Sequence, residues 1–163
     1  MNVRFSVNAQ QVHLDIEPRR TLADAIRENC GLTGTHLGCE HGVCGACTVL
    51  VDDEPVRACL MFAVQADGCS IVTVEGLQDS NGELHPLQEA LAAHHGLQCG
   101  YCTPGILITA LHILKTHPLA DRQTIRRELS GNICRCTGYQ RIVDAIEAVA
   151  RTTSAITAKG ERT

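Results

Sequence analysis

Four cysteines, Cys39, Cys44, Cys47 and Cys59, stand in the order Cys-x4-Cys-x2-Cys-x11-Cys, and no other feature of this 163-residue chain restricts its fold as much. The spacing is that of a plant-type [2Fe–2S] centre. Four thiolates converging on a small dianionic cluster force the backbone to wrap tightly around it with N–H groups turned inward. Glycine permits so close an approach. Gly38, Gly42 and Gly45 lie beside or between the cysteines, where a side chain would strike the cluster or force the loop open. They read as part of the site.

A second set follows, Cys99-Gly100-Tyr101-Cys102 and Cys134-Arg135-Cys136, each pair just ahead of a predicted helix. A helix N-terminus offers unpaired N–H groups and the positive end of a dipole, which favour thiolates and an anionic cluster. In a strand, residues two apart are separated along the chain. The Cys-x-Cys pair therefore belongs on a bend, and Asn132 and Gly138 flank it. A Cys-x2-Cys pair with a second pair is also how structural zinc is bound, so spacing alone leaves zinc and iron–sulfur both open for this set; for the first set it favours iron–sulfur. A redox dithiol at Cys99 and Cys102 lacks the βαβ setting expected for it. Cys30 and Cys69 fit neither spacing and read as small buried residues.

Ten cysteines can mark a secreted disulfide framework, but Met1 to Val7 contains no apolar signal-peptide core. The reducing cytoplasm is the expected location. Arg19-Arg20 is followed within four residues by Asp24, so it reads as two solvated arginines rather than an export signal. No apolar run approaches the ~18 residues of a membrane span. A net charge of -4 and only four aromatics, Phe5, Phe62, Tyr101 and Tyr139, argue against a nucleic-acid partner. Gly100 to Gly105 has P-loop glycine spacing, yet Ile106-Leu107 stands where Lys-Ser/Thr belongs. The histidines form no Rieske pattern with the cysteines; His41, inside the first loop, is expected to face solvent or a partner. No nucleophile with a base and no paired carboxylates occur.

Val3, Phe5, Val7 and Val12, Leu14, Ile16 alternate on either side of Asn8-Ala9-Gln10-Gln11, which predicts a β-hairpin. Thr21 with Asp24 resembles a capping box and predicts a helix over 22–29, stopped at Gly31. Strands are expected at 48–51, 55–58 and 71–74, with a turn at Asp52-Asp53. After Gly76 the alternation gives way to helical spacing. Helices are expected from Pro86 to about Gly96, from Pro104 to Pro118 with Leu107, Ala110, Leu111 and Leu114 buried, after Asp121, and along Ile142, Val143, Ile146 and Val149. The result is an α+β chain: a ferredoxin-like β-grasp domain at 1–76, a linker at 77–84, a four-helix bundle domain at 85–151 and a loose tail at 152–163.

Three stretches, Gly38 to Val49, Gln98 to Gly105 and Ser130 to Tyr139, together resemble the iron–sulfur subunit of the molybdenum hydroxylases, the xanthine oxidase and aerobic carbon monoxide dehydrogenase family. The similarity runs from about Val3 to Ala150 in unbroken motif order. It implies [2Fe–2S] clusters on both cysteine sets, Cys39, Cys44, Cys47, Cys59 and Cys99, Cys102, Cys134, Cys136, in an electron-transfer subunit that carries no substrate chemistry. It also implies partner subunits holding molybdopterin and FAD, expected here as separate polypeptides. The helical-domain cluster would lie nearer molybdenum, the ferredoxin-like cluster would pass electrons to FAD, and Gln98 and Cys136 would contact the pterin. Many relatives carry Gly where this chain has Asp53-Glu54, and Asp tolerates left-handed backbone. An independent two-cluster electron carrier and a structural zinc module are the rival readings.

Overall fold

The alternating apolar residues of the first fifteen positions form strands β1 (Asn2–Val7) and β2 (Gln10–Asp15), paired antiparallel with Val3 opposite Leu14 and Phe5 opposite Val12. This computed structural model describes residues 1–79 and 81–160, with 153–160 described by their backbone alone. The hairpin turn is only Asn8-Ala9, both at positive φ, the handedness that two-residue hairpins require. Strands β3 (Thr48–Val51), β4 (Glu54–Arg57) and β5 (Ser70–Val72) complete a five-stranded mixed sheet in the order β2-β1-β5-β3-β4. The β3–β4 turn is Asp52-Asp53, with φ of 48° and 72°, so aspartate takes the left-handed positions that glycine would otherwise fill. Ser70 N–H donates to the Asp52 carboxylate at 2.8 Å and ties the turn to β5.

Two sequence expectations need correction in this half. The helix foreseen over 22–29 is one α-turn, α1 (Leu22–Asp24), continued as a π-turn over Ala25–Asn29. Thr21 does cap it, accepting from Asp24 N–H at 3.1 Å, but the Cys30 N–H reaches back five residues to the Ala25 carbonyl. The last strand ends at Val72 rather than 74. Thr73, fully buried, turns to Asn8 instead, exchanging two hydrogen bonds of 2.9 Å with its side chain, and Val74–Leu77 is a 3-10 turn.

One face of the sheet buries Val3, Phe5, Val7, Val49, Val51 and Ile71 against Leu22, Ala25 and Ile26. The other face meets the helices. Helices α2 (Pro86–Ala93), α3 (Thr103–Thr116), α4 (Arg122–Glu128) and α5 (Gln140–Gly160) share a second core of Leu87, Leu91, Ile106, Ile113, Ile125 and Ile142, and Leu50 of β3 packs into it. Each such Leu or Ile contributes about 1.5–3 kcal/mol by leaving water.

Because α3 lies between the sheet and the other helices, it is buried all round from Gly105 to Ala110. Leu111 and Leu114 are only half-buried, so the expected single apolar stripe understates the packing. The α2 end differs as well: His95, at φ 55°, takes the left-handed position, while Gly96 is needed because a Cβ there would sit 2.6 Å from Leu91 Cδ2. The tail expected to be loose from 152 is helical to Gly160. Extending an existing helix adds a hydrogen bond for each residue fixed, which favours continuation once the helix is nucleated. Residues 161–163 lie outside the described residues.

Candidate metal centres

The first cysteine loop connects α1 to β3. Gly42 and Gly45 sit at φ 85° and 74°; a Cβ on Gly38 would stand 3.1 Å from Cys44 Sγ, whereas one on Gly42 would meet the Leu60 side chain and one on Gly45 the Gly131 carbonyl, so of the three Gly38 alone brings backbone against sulfur. Cys44 N–H points at Cys39 Sγ, 3.4 Å away. The N–H groups of His41 and Cys44 lower the Cys39 thiol to about 6, well into the thiolate range at neutral pH. Cys47 and Cys59 are buried; burial pushes Cys47 up to about 11, aided by the adjoining Cys59. His41 is exposed and its ring bonds the Cys39 carbonyl, as expected of a residue facing outward.

The second set forms where the turn before α3 meets the bend before α5. Cys99 and Cys136 are exposed with their sulfurs 3.6 Å apart, and contact with Cys99 raises the Cys136 thiol. Burial pushes Cys102 up to about 12, reinforced by a hydrogen bond with Cys134. Burial would also raise Cys134, but the Thr137 hydroxyl and the N–H groups of Cys136 and Thr137 outweigh it and lower the thiol. The bend is held by Tyr139, at φ 66°. Its hydroxyl accepts from Cys134 N–H at 2.7 Å and donates to the Asn132 carbonyl at 3.1 Å.

The eight thiols therefore stand in four pairs, Cys39 with Cys44, Cys47 with Cys59, Cys99 with Cys136 and Cys102 with Cys134. Among the described residues no three His, Cys, Asp or Glu side chains converge as ligands of a single metal ion. Two thiols for each of two irons is the distribution a [2Fe–2S] cluster takes, and the glycine cradle and inward N–H groups suit its charge. Cys30 and Cys69 lie apart from both sets, half-buried at the edge of the first core.

The two loops touch. Ile133 N–H donates to the Cys44 carbonyl at 2.8 Å, and buried Asn132 donates to the Gly45 carbonyl at 3.1 Å while accepting from Thr109 at 2.9 Å. Tyr101 stacks on His36 with ring centroids 4.6 Å apart, and its hydroxyl donates to the Leu37 carbonyl at 2.6 Å. Arg57 reaches both loops. Gly45, Tyr101, Asn132 and Ile133 lie within the cysteine motifs that the sequence sets apart, whereas Thr109 and Arg57 carry no spacing signal. Gln98 is exposed, its amide nitrogen donating to the Cys136 carbonyl at 3.1 Å.

Fold and site define a protein with two cysteine sets, each arranged as two thiol pairs, on adjoining loops. Residues 5–70 match the family model of the 2Fe-2S iron-sulfur cluster binding domain and residues 73–147 that of the [2Fe-2S] binding domain. The chain is 51% identical to the caffeine dehydrogenase subunit gamma of Pseudomonas sp. (strain CBB1), over 93% of this chain and 92% of that one. It is likewise 51% identical to the nicotine 6-hydroxylase small subunit of Paenarthrobacter nicotinovorans, over 90% and 87%. The crystal structure of quinoline 2-oxidoreductase from Pseudomonas putida 86 matches with a TM-score of 0.91 at 51% identity, covering 95% of this chain and 96% of the matched chain. The chain belongs to the iron–sulfur subunits of the molybdenum hydroxylases: it is an electron-transfer subunit with two [2Fe–2S] domains, and zinc is set aside for both sets.

Proposed function

We propose that the chain passes electrons from a molybdopterin-binding large subunit to an FAD-binding medium subunit, with Cys39, Cys44, Cys47 and Cys59 holding one cluster and Cys99, Cys102, Cys134 and Cys136 the other. The observation that carries this reading is the four-pair arrangement of the thiols, joined across the two loops by the Ile133–Cys44 hydrogen bond. Each cluster, when bound, supplies a one-electron store that fills and empties with no bond made or broken. The chain's own residues hold the sulfurs, direct N–H groups at them and exclude water from Cys47, Cys59 and Cys134, which are buried.

Exposure supports the direction of transfer. Cys99 and Cys136 are the exposed thiols, with Gln98 beside them, so this edge is the face offered to the pterin. Around the first loop, Val43, Leu60 and Phe62 are exposed apolar side chains, suited to a second protein partner on the FAD side. The two buried cores support a division into a ferredoxin-like β-grasp unit at 1–76, a linker at 77–84 and a four-helix unit at 85–151. The cytoplasm is the proposed location: no disulfide joins any of the ten cysteines, and no described helix is long and apolar enough to cross a membrane.

The relatives at about half identity are named for caffeine, nicotine and quinoline, so nitrogen heterocycles are the substrate class to try first on the complex. Gel filtration of native extract, followed by mass spectrometry of co-purified chains, tests the assignment. This 17.6 kDa chain should elute in a far larger complex with a molybdopterin and a flavin subunit. Recovery as a free brown monomer would favour an independent two-cluster carrier instead.

A further inference from the structure

Arg57 ends strand β4, two residues before Cys59. The residue is half-buried and its guanidinium forks across the junction of the two cysteine loops. Nη1 donates to Thr48 Oγ1 at 2.6 Å and Nη2 to the Gly131 carbonyl at 2.7 Å. Thr48 follows Cys47 directly, and Gly131 begins the Gly131-Asn132-Ile133-Cys134 run. The fit is close on both sides. A Cβ on Gly131 would meet Arg57 Nη2 at 2.5 Å, and Thr48 passes its own hydroxyl hydrogen to the Gly45 carbonyl at 2.6 Å. Among the described residues no carboxylate forms an ion pair with Arg57. A partly buried positive charge satisfied only by a hydroxyl and a carbonyl is costly unless negative charge stands nearby. The two loops it bridges carry Cys39, Cys44, Cys47, Cys134 and Cys136, which are thiolates when iron is bound.

We propose that Arg57 is a positioning residue for electron exchange between the two centres. This rests on the reading that each cysteine set holds a [2Fe–2S] cluster. The planar fork fixes Gly131 against Thr48, which keeps Ile133 N–H on the Cys44 carbonyl and so sets the separation of the two centres; lysine, whose three N–H donors share one nitrogen, cannot reproduce the two-nitrogen fork. The positive charge acts separately. It stabilises the reduced, more negative form of a cluster and so raises its reduction potential, as net charge and hydrogen bonding near such clusters do. The exchange it serves is a one-electron hop that oxidises one cluster as it reduces the other.

The experiment uses the intact complex carrying Arg57→Lys, Arg57→Gln and Arg57→Met, with iron content, EPR-monitored redox titration and the magnetic splitting between the two reduced clusters as readouts. Wild type should show two [2Fe–2S] signals; if it holds no iron–sulfur cluster, the functional reading itself fails. With clusters at wild-type iron content, Arg57→Gln and Arg57→Met should lower the potential of at least one cluster, while Arg57→Lys holds it near wild type. Both Lys and Met should alter the splitting, because neither reproduces the fork onto Thr48 and Gly131. Should Met fail to assemble, Lys and Gln alone carry the comparison. If potentials and splitting match wild type in the assembled variants and only thermal stability falls, Arg57 is a structural tie and the proposal is overturned.

Discussion

The Ile133 N–H donates to the Cys44 carbonyl at 2.8 Å, so a cysteine of the first set is hydrogen-bonded to the residue immediately before Cys134 of the second. The polar side chain beside the contact is paired on both sides: Asn132, 2% exposed, uses its amide on Gly45 and Thr109. The contact also needs close backbone approach. A Cβ on Gly105 would lie 2.2 Å from the Gly45 carbonyl oxygen, so α3 can press against the first loop only without a side chain there.

Glycine substitutions should separate close approach from strain. Gly45→Ala would place a Cβ 2.3 Å from the Gly131 carbonyl at φ 74°, so the loops must part and iron bound per chain should fall, with the first cluster lost. Gly68→Ala, in the turn before β5 at φ 79° with no atom within 4 Å of its Cβ, meets only the backbone strain of about 1–2 kcal/mol and should keep both clusters. Iron analysis and visible absorption of the two variants check this. Equal iron loss in both would contradict the assignment of Gly45 to the junction.

Removing the metal should expose a gradient of thiol reactivity. In the iron-free chain Cys39, lowered to about 6 by the N–H groups of His41 and Cys44, is thiolate at pH 7, whereas burial holds Cys47 at about 11 and Cys102 at about 12 as neutral thiols. A depressed pKa means that the reactive form persists down to about pH 6 and is lost below it. Iodoacetamide labelling read by peptide mass spectrometry should modify Cys39 well before Cys47 or Cys102, with a rate that drops as pH falls through 6. Faster labelling of Cys47 would show that the loop geometry does not persist without iron.

How much of this was legible in the sequence depends on the range of the interaction. The Cys-x4-Cys-x2-Cys-x11-Cys spacing and the glycines between encode a local loop, and the hairpins encode themselves through alternation and turn residues. The second set's metal was not legible from spacing, because zinc and iron–sulfur accept similar pairs; the long motifs and the relatives decided it. The π-turn at Ala25–Asn29 and the all-round burial of α3 arise from tertiary packing, which overrides the local pattern of Leu111 and Leu114. The bonds from Arg57 to Gly131 and from Thr109 to Asn132 join residues far apart in the chain, and no periodicity announces them.

Gln98 lies at the exposed edge, its amide on the Cys136 carbonyl. Gln98→Ala should leave both clusters assembled and both EPR signals intact, since no iron loses a ligand. In the complex it should loosen or shift the pterin and slow reduction of the clusters by substrate in rapid-mixing experiments. Wild-type reduction rates with normal molybdenum content would return Gln98 to a purely structural role.

The central claim, two [2Fe–2S] clusters on two separate cysteine sets, is tested most directly by EPR of the reduced complex carrying single cysteine replacements. Cys44→Ala should remove or distort one of two signals and Cys102→Ala the other, because in each case one iron loses a thiolate, while Cys30→Ala and Cys69→Ala leave both unchanged. Loss of a signal in Cys69→Ala, or loss of the same signal in both Cys44→Ala and Cys102→Ala, would contradict the account.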